Sequence, residues 1–220
     1  MKPITIAPKG TRDITPAESY KWQYVERTVL STAENYGFFE IRVPTFEHTE
    51  LFLRGVGDTT DVVSKEMYTF KDKGERSVTL RPEGTSGVMR AAIENNLLGD
   101  KLPLKLSYNI SCFRYEKPQA GRMREFHQFG VEEVGSPSPI ADAEVIAVGK
   151  RVLEELGIKK VKIFINSIGC KECRPTYQKK LKEYLTAREG ELCDTCKERL
   201  VTNPLRIIDC KSEICSAIVK

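Results

Sequence analysis

Between Lys105 and Gly135 the chain concentrates side chains able to hold a charged ligand: KLSYNISCFRYEKPQAGRMREFHQFGVEEVG. Leu104, Leu106, Tyr108, Ile110 and Cys112 alternate with polar neighbours, the period of a half-buried strand. Lys117-Pro118-Gln119-Ala120-Gly121 then breaks the run with proline and glycine, the signal of a hairpin loop. On the returning strand Arg124, Phe126, Gln128 and Glu132 share one face, and His127, Phe129 and Val131 the other. A face combining arginine, aromatic, amide and carboxylate makes a poor core and a good ligand bed. Arg124 reads as a structural salt-bridge partner and His127 as a packing residue on the opposite face. His48 reads as a residue without special chemistry, and Cys112 as a core thiol, not a nucleophile.

Two other groups could do chemistry. In Leu80-Arg81-Pro82-Glu83-Gly84-Thr85 a strand ends and a helix opens, which sets a carboxylate and a hydroxyl where polar groups converge. Glu83 could equally cap that helix. Near the end, CKEC and CDTC, nineteen residues apart, match the spacing of a four-thiolate zinc site on Cys170, Cys173, Cys193 and Cys196. Cys210 and Cys215 could replace one pair, and six unliganded thiols remain the plain alternative. A thioredoxin-type redox site fits less well, because it needs one pair in a βαβ setting.

The elements that must position these groups follow from periodicity. Thr15-Pro16-Ala17-Glu18 has the form of a capping box, and Trp22, Val25, Val29, Ala33 and Tyr36 fall on one helical face up to Gly37. A strand through Phe39, Ile41 and Val43 follows, stopped by Pro44. A hairpin is expected from Glu66 to Arg81 with its turn at Asp72-Lys73-Gly74, then a helix to about Asn96. Ser138-Pro139 caps another helix ending near Gly157, and Val161, Ile163 and Ile165 form a further strand. A helix carrying Tyr177, Leu181, Tyr184 and Leu185 separates the cysteines.

Composition narrows the class. With 220 residues, 40% of them hydrophobic and 30% charged, the chain can bury a core of ordinary globular kind. A net charge of +4 permits nucleic-acid contact without demanding it. No signal-like apolar stretch opens the chain, and no run of eighteen apolar residues occurs, which points to a cytoplasmic protein without membrane attachment. Seven cysteines, an odd number, then favour metal or free thiols over a disulfide framework.

FRYEKPQAGRMREFHQFGVE closely resembles motif 2 of the class II aminoacyl-tRNA synthetases in its histidyl-tRNA synthetase version. LRPEGT is similar to that family's loop for the amino acid's ammonium group, and helix-then-strand ending in Pro44 is similar to motif 1. KGTRD, VGDTTDVVSKEMYTF, INSIGC and NPLRIIDCK extend the resemblance over essentially the whole chain. The resemblance implies an α+β fold, an antiparallel sheet flanked by helices, with 1–166 as the first part of a catalytic core. Residues 167–220 would begin the family's insertion region, where the family does not require cysteines. It implies a cytoplasmic homodimer that activates histidine with ATP and Mg2+ and passes it to tRNA-His. Arg114 would be catalytic, gripping the α-phosphate and the attacking carboxylate. Glu116 and Phe126 would hold adenine, and Arg122 the outer phosphates. Glu83, Thr85 and Gln128 would take the histidine ammonium, and Glu132 the imidazole. The family's histidine-specific segment, motif 3 and anticodon-binding domain find no match, so the chain is expected to be the N-terminal part of a longer enzyme without full activity.

Two rival readings compete. One is the non-catalytic regulatory subunit of ATP phosphoribosyltransferase, which resembles the same family. Intact LRPEGT, PQAGR and FHQ elements argue against it, since a subunit that adenylates nothing has little use for both phosphate arginines. The other is a zinc-stabilised nucleic-acid module built on the cysteine-rich end, which leaves the polar hairpin face unexplained.

Overall fold

The computed structural model describes residues 5–56, 63, 66–99, 101–167 and 169–219. Positions 57–62, 64 and 65 of the VGDTTDVVSKEMYTF segment, Ile168 of INSIGC and residues 1–4 of the opening stretch lie outside the described residues. The chain divides into two units, Met1–Val161 and Lys162–Lys220.

In the first unit, α1 (Pro16–Asn35) starts at Thr15, but the expected capping box does not form. The Thr15 side chain makes no capping bond, and the Glu18 carboxylate turns instead to Arg12, 3.1 Å away. The helix ends as a Schellman motif: Gly37 N–H donates to Glu34 O and Phe38 N–H to Ala33 O, with Gly37 at φ +78°. Val29 and Ala33 are buried as their spacing requires, whereas Val25 stays 41% exposed.

The next segment corrects the alternation read through Phe39, Ile41 and Val43. Strand β1 is only Phe39–Glu40 and pairs in parallel with β5 (Leu104–Phe113). Phe38 is buried in the core while Phe39 is 67% exposed. Ile41 and Val43 pack inward from irregular chain.

A small sheet of order β2-β4-β3 is built from Phe46–His48, Ser77–Leu80 and Thr69–Lys71. Between β2 and β3 comes α2 (Thr49–Val56). The β3–β4 turn is closed by Asp72, whose carboxylate accepts from Gly74 N–H, Arg76 N–H and Arg76 Nε. Helix α3 (Thr85–Glu94) follows β4.

The larger sheet has order β1-β5-β6, with β6 at Glu125–Val134 antiparallel to β5. Its register sets Leu106 opposite Glu132, Tyr108 opposite Gly130, Ile110 opposite Gln128 and Cys112 opposite Phe126. Directly opposed residues share a face. The apolar row of β5 and the polar row of β6 are therefore two halves of one surface. Val88 and Ala92 of α3 cover the β5 half. Gln128 and Glu132, on the β6 half, are only partly buried. The reverse face packs Phe129 and Val131 against Val29 and Ala33 of α1 and against Val148 and Val152 of α4 (Pro139–Glu155), whose cap Ser138 accepts from Ile140 N–H. This is an antiparallel hairpin sheet flanked by helices, the α+β class expected, joined at one edge by the short parallel β1.

The strand expected through Val161, Ile163 and Ile165 does not form among the described residues: these positions carry no strand pairing there, and Phe164 and Ile165 are 90% and 78% exposed. Apolar alternation alone is insufficient, because a strand exists only where a neighbour supplies hydrogen bonds.

The second unit is helical: α5 (Cys173–Thr186), a 3-10 turn (Glu189–Glu191), α6 (Asp194–Thr202), α7 (Leu205–Ile208) and α8 (Glu213–Val219). Its core is Leu185, Leu192, Cys196, Leu200, Ile207, Cys215 and Ile218. No helix among the described residues is long and apolar enough to cross a membrane.

Candidate functional site

The hairpin face and the loop after β4 meet at Tyr108. Its ring lies against the backbone of two glycines: a Cβ on Gly84 would sit 2.3 Å from Tyr108 Cε2, and one on Gly130 would sit 2.3 Å from Cζ. Only glycine at both positions lets the phenol pass, and its hydroxyl then reaches Glu132 Oε1 at 3.2 Å. Thr85 Oγ1 donates to the same carboxylate oxygen at 2.7 Å. Burial, chiefly, pushes the Tyr108 phenol up to about 12, and the neighbouring carboxylates of Glu132 and Glu83 push the same way. It therefore stays protonated and donates.

Glu83 accepts from Thr85 N–H at 2.6 Å and Ser86 N–H at 2.9 Å, so it does cap α3. Capping also fixes its position, since the same loop carries Thr85 onto Glu132. On the neighbouring rung Gln128 Oε1 accepts from Cys112 Sγ at 3.2 Å. Cys112 is fully buried, its thiol pushed up to about 12 mainly by that burial, which makes it inert as expected.

Arg114 donates through Nε to Pro82 O at 2.8 Å, and its guanidinium lies over the Phe126 ring at 5.1 Å. This anchors the arginine one residue from Glu83 and occupies one side of the aromatic ring. Glu116 and Arg122 are paired with each other, 2.9 Å apart across the loop. Gln119 and Arg122 close that loop with a reciprocal pair of backbone bonds.

Arg124 is structural, but among the described residues it makes no salt bridge. Its guanidinium lies 3.9 Å from the centre of the Tyr115 ring and donates to Glu116 O and Lys9 O. The KGTRD segment docks there too, with Gly10 O accepting from Arg124 N–H at 2.7 Å. His127 lies on the opposite face, 4.6 Å from the Trp22 ring, as a packing residue should.

Two residues that position the site have no signal in the sequence strong enough to single them out. Tyr108 reads as one more core position. Arg81 reads as the end of a strand, yet it is buried and donates to three carbonyls: Ser111 O at 2.6 Å, Val43 O at 2.8 Å and Pro44 O at 3.3 Å. It ties β5 to the chain entering β2 just where the Glu83 loop begins. The one available hint is a charged residue between Leu80 and Pro82 in an otherwise apolar strand end.

In the second unit the structure gathers Cys193, Cys196, Cys210 and Cys215, their sulfurs all within 4.8 Å of one another, a cluster able to hold a metal ion. The alternates Cys210 and Cys215 thus stand where the first CxxC was expected. Cys170 and Cys173 lie 3.5 Å from each other, both exposed, at the start of α5. The reason is local. Cys173 opens its own helix, whereas Cys193 and Cys196 open α6 and face the turn carrying Cys210.

A family profile described as histidyl-tRNA synthetase matches residues 10–173. The histidine–tRNA ligase of Acetivibrio thermocellus is 57% identical over 215 residues, 98% of this chain and 52% of that protein. That of Clostridioides difficile is 55% identical over 217 residues, again 52% of its length. The chain thus spans about half the length of the curated relatives it matches. Among solved structures, apo histidyl-tRNA synthetase of S. aureus superposes with a TM-score of 0.74 at 39% identity, over 99% of this chain and 51% of that one. A Bacillus halodurans structure described as an ATP phosphoribosyltransferase regulatory subunit/histidyl-tRNA synthetase has a TM-score of 0.67 at 22% identity, a likeness of fold alone.

Proposed function

The chain belongs to the histidyl-tRNA synthetase family, and on that premise we propose that its hairpin face binds histidine and ATP for the activation step of tRNA-His charging. In that step a carboxylate oxygen of histidine attacks the α-phosphorus. A new acyl–phosphate bond forms as the bond to the bridging oxygen breaks, giving histidyl-adenylate and pyrophosphate. Such transfer asks a protein mainly for positioning and charge neutralisation.

The observation that carries the reading is the convergence of Glu83, Thr85, Gln128 and Glu132 beside Arg114 on one face. With Nε committed to Pro82 O, Arg114 keeps its two terminal nitrogens to fork onto the α-phosphate and the attacking carboxylate. Glu83, Thr85 and Gln128 take the ammonium end. Glu132, held by two hydroxyls and only partly buried, accepts from the imidazole and disfavours aliphatic side chains, which offer it no donor. For Arg122 to reach the outer phosphates and Glu116 the adenine amine, their ion pair must open. The Arg122 side chain is 55% exposed and can swing away, while Glu116, 15% exposed, stays in place. Adenine stacks on the side of Phe126 that Arg114 does not cover.

The carboxylates of this face are already engaged by backbone N–H groups, hydroxyls or Arg122. The cysteine group alone, among the described residues, is arranged as a metal cluster. The Mg2+ that accompanies ATP would be held mainly by phosphate oxygens and water, with one or two carboxylates of the chain completing its shell. Dimerisation through α1 and β1 fits the exposure of Phe39, and a cytoplasmic setting goes with the same reading.

A chimera tests this: residues 1–220 replace the matching half of the Acetivibrio thermocellus ligase, and histidine-dependent ATP–pyrophosphate exchange is measured. Exchange abolished by Arg114→Ala is the expected result. A folded chimera without exchange, or one indifferent to Arg114→Ala, overturns the assignment.

A further inference from the structure

We propose that Cys193, Cys196, Cys210 and Cys215 form a structural zinc tetrathiolate that organises the second unit. Four sulfurs converge there from separate turns of chain, CDTC and CKSEIC, each spacing within the range of zinc knuckles. Tetrahedral zinc with bonds of about 2.3 Å places its sulfurs about 3.8 Å apart. Cys193 Sγ and Cys210 Sγ lie 3.9 Å apart, and all four fall within 4.8 Å of one another, so binding needs only a small contraction.

The backbone already has the form that such a site uses. Cys193 is the N-cap of α6, and its carbonyl accepts from Cys196 N–H at 2.8 Å and Lys197 N–H at 3.0 Å, so both sulfurs of the pair point from one turn. Cys193 N–H donates to Cys215 Sγ at 3.3 Å, which supports negative charge on that sulfur.

Burial favours a permanent structural metal over an exchangeable one. Cys196 and Cys215 are fully buried, and they are members of the same small core as Leu185, Leu192, Leu200, Ile207 and Ile218. A unit this short buries little apolar surface, and a metal linking α6 to the α7–α8 turn supplies the missing cross-link. All four positions are already thiol-bearing, so closure requires only loss of protons to water as zinc binds. Neither oxidant nor co-reactant is involved. The first pair, Cys170 and Cys173, stays outside the site as an internal control.

The test uses the 220-residue chain, purified without chelators or metal-affinity resin, with zinc measured by mass spectrometry. About one zinc per chain is expected. It should survive the double substitution Cys170→Ser/Cys173→Ser and fall at least about tenfold in Cys196→Ser and in Cys215→Ser. Those serine variants could simply misfold, so wild-type chain stripped of zinc is also refilled with Co2+. The proposal requires the intense visible bands and sulfur-to-metal charge transfer of tetrahedral cobalt tetrathiolate. Zinc-free protein, zinc lost with Cys170 and Cys173, an octahedral cobalt spectrum, or a Cys193–Cys210 disulfide on non-reducing peptide mapping would each overturn it.

Discussion

Replacing Gly130 by alanine drives a methyl group into the ring of Tyr108. The new carbon would stand 2.3 Å from Cζ, 2.4 Å from Oη and 2.7 Å from Cε2. Ordinary contact begins near 3.4 Å, so the ring must retreat by about an ångström. It cannot retreat easily, because the same ring atoms also lie close against Gly84. The cost should fall near the top of the overpacking range, about 2–3 kcal/mol. That lowers the melting temperature by about 4–12 °C for a unit of this size. Urea unfolding followed by the single tryptophan, Trp22, reads the right region, since the Trp22 ring lies against His127 of the same hairpin. In a Tyr108→Leu background the clashing atoms are gone, and the Gly130→Ala penalty should shrink by about 2 kcal/mol. A Gly130→Ala protein within about 0.5 kcal/mol of the parent, or an equal penalty in both backgrounds, refutes the wedge.

Other outcomes follow from the same geometry. Arg81→Met should cost about 2–4 kcal/mol in urea titrations, because it orphans the carbonyls of Ser111, Val43 and Pro44 in the interior. Tyr108 and Cys112, both pushed up to about 12 by burial, should stabilise the fold fully below their ordinary values of 10 and 9. That contribution is lost as pH rises towards 12, and Tyr108→Phe should flatten the alkaline fall in unfolding free energy. Exposed Cys170, held down to about 7 first by the Cys173 N–H and then by that of Glu172, should be the cysteine that iodoacetamide labels fastest at neutral pH. Its rate should drop as pH falls below 7, while Cys112 stays unlabelled until the protein unfolds, as peptide mapping would read.

Much of the hairpin could be read in advance because period-2 alternation and the KPQAG break are local signals. What could not be read was the sharing of a face by its two halves. That depends on register, which sets Gly130 opposite Tyr108 and Gln128 opposite Ile110. Core row and ligand row look like separate surfaces until the strands are paired. Residues acting through distant backbone escape for a related reason: the partners of Arg81 are some thirty residues or more away in sequence. Local patterns also misled. Thr15 and Glu18 have capping-box spacing, but Arg12 claims the carboxylate. Val161, Ile163 and Ile165 alternate properly, but pair with nothing among the described residues. CKEC and CDTC match in spacing, yet the chain folds CDTC against Cys210 and Cys215.

Binding of a non-hydrolysable histidyl-adenylate mimic, followed by titration calorimetry on this chain, probes the hairpin face most directly. Saturable binding is expected, weakened at least about tenfold by Arg114→Ala and by Glu132→Gln, each of which removes a charge-assisted bond. Heats of dilution alone, or one affinity shared by all three proteins, would contradict a face built to hold histidine and a nucleotide together.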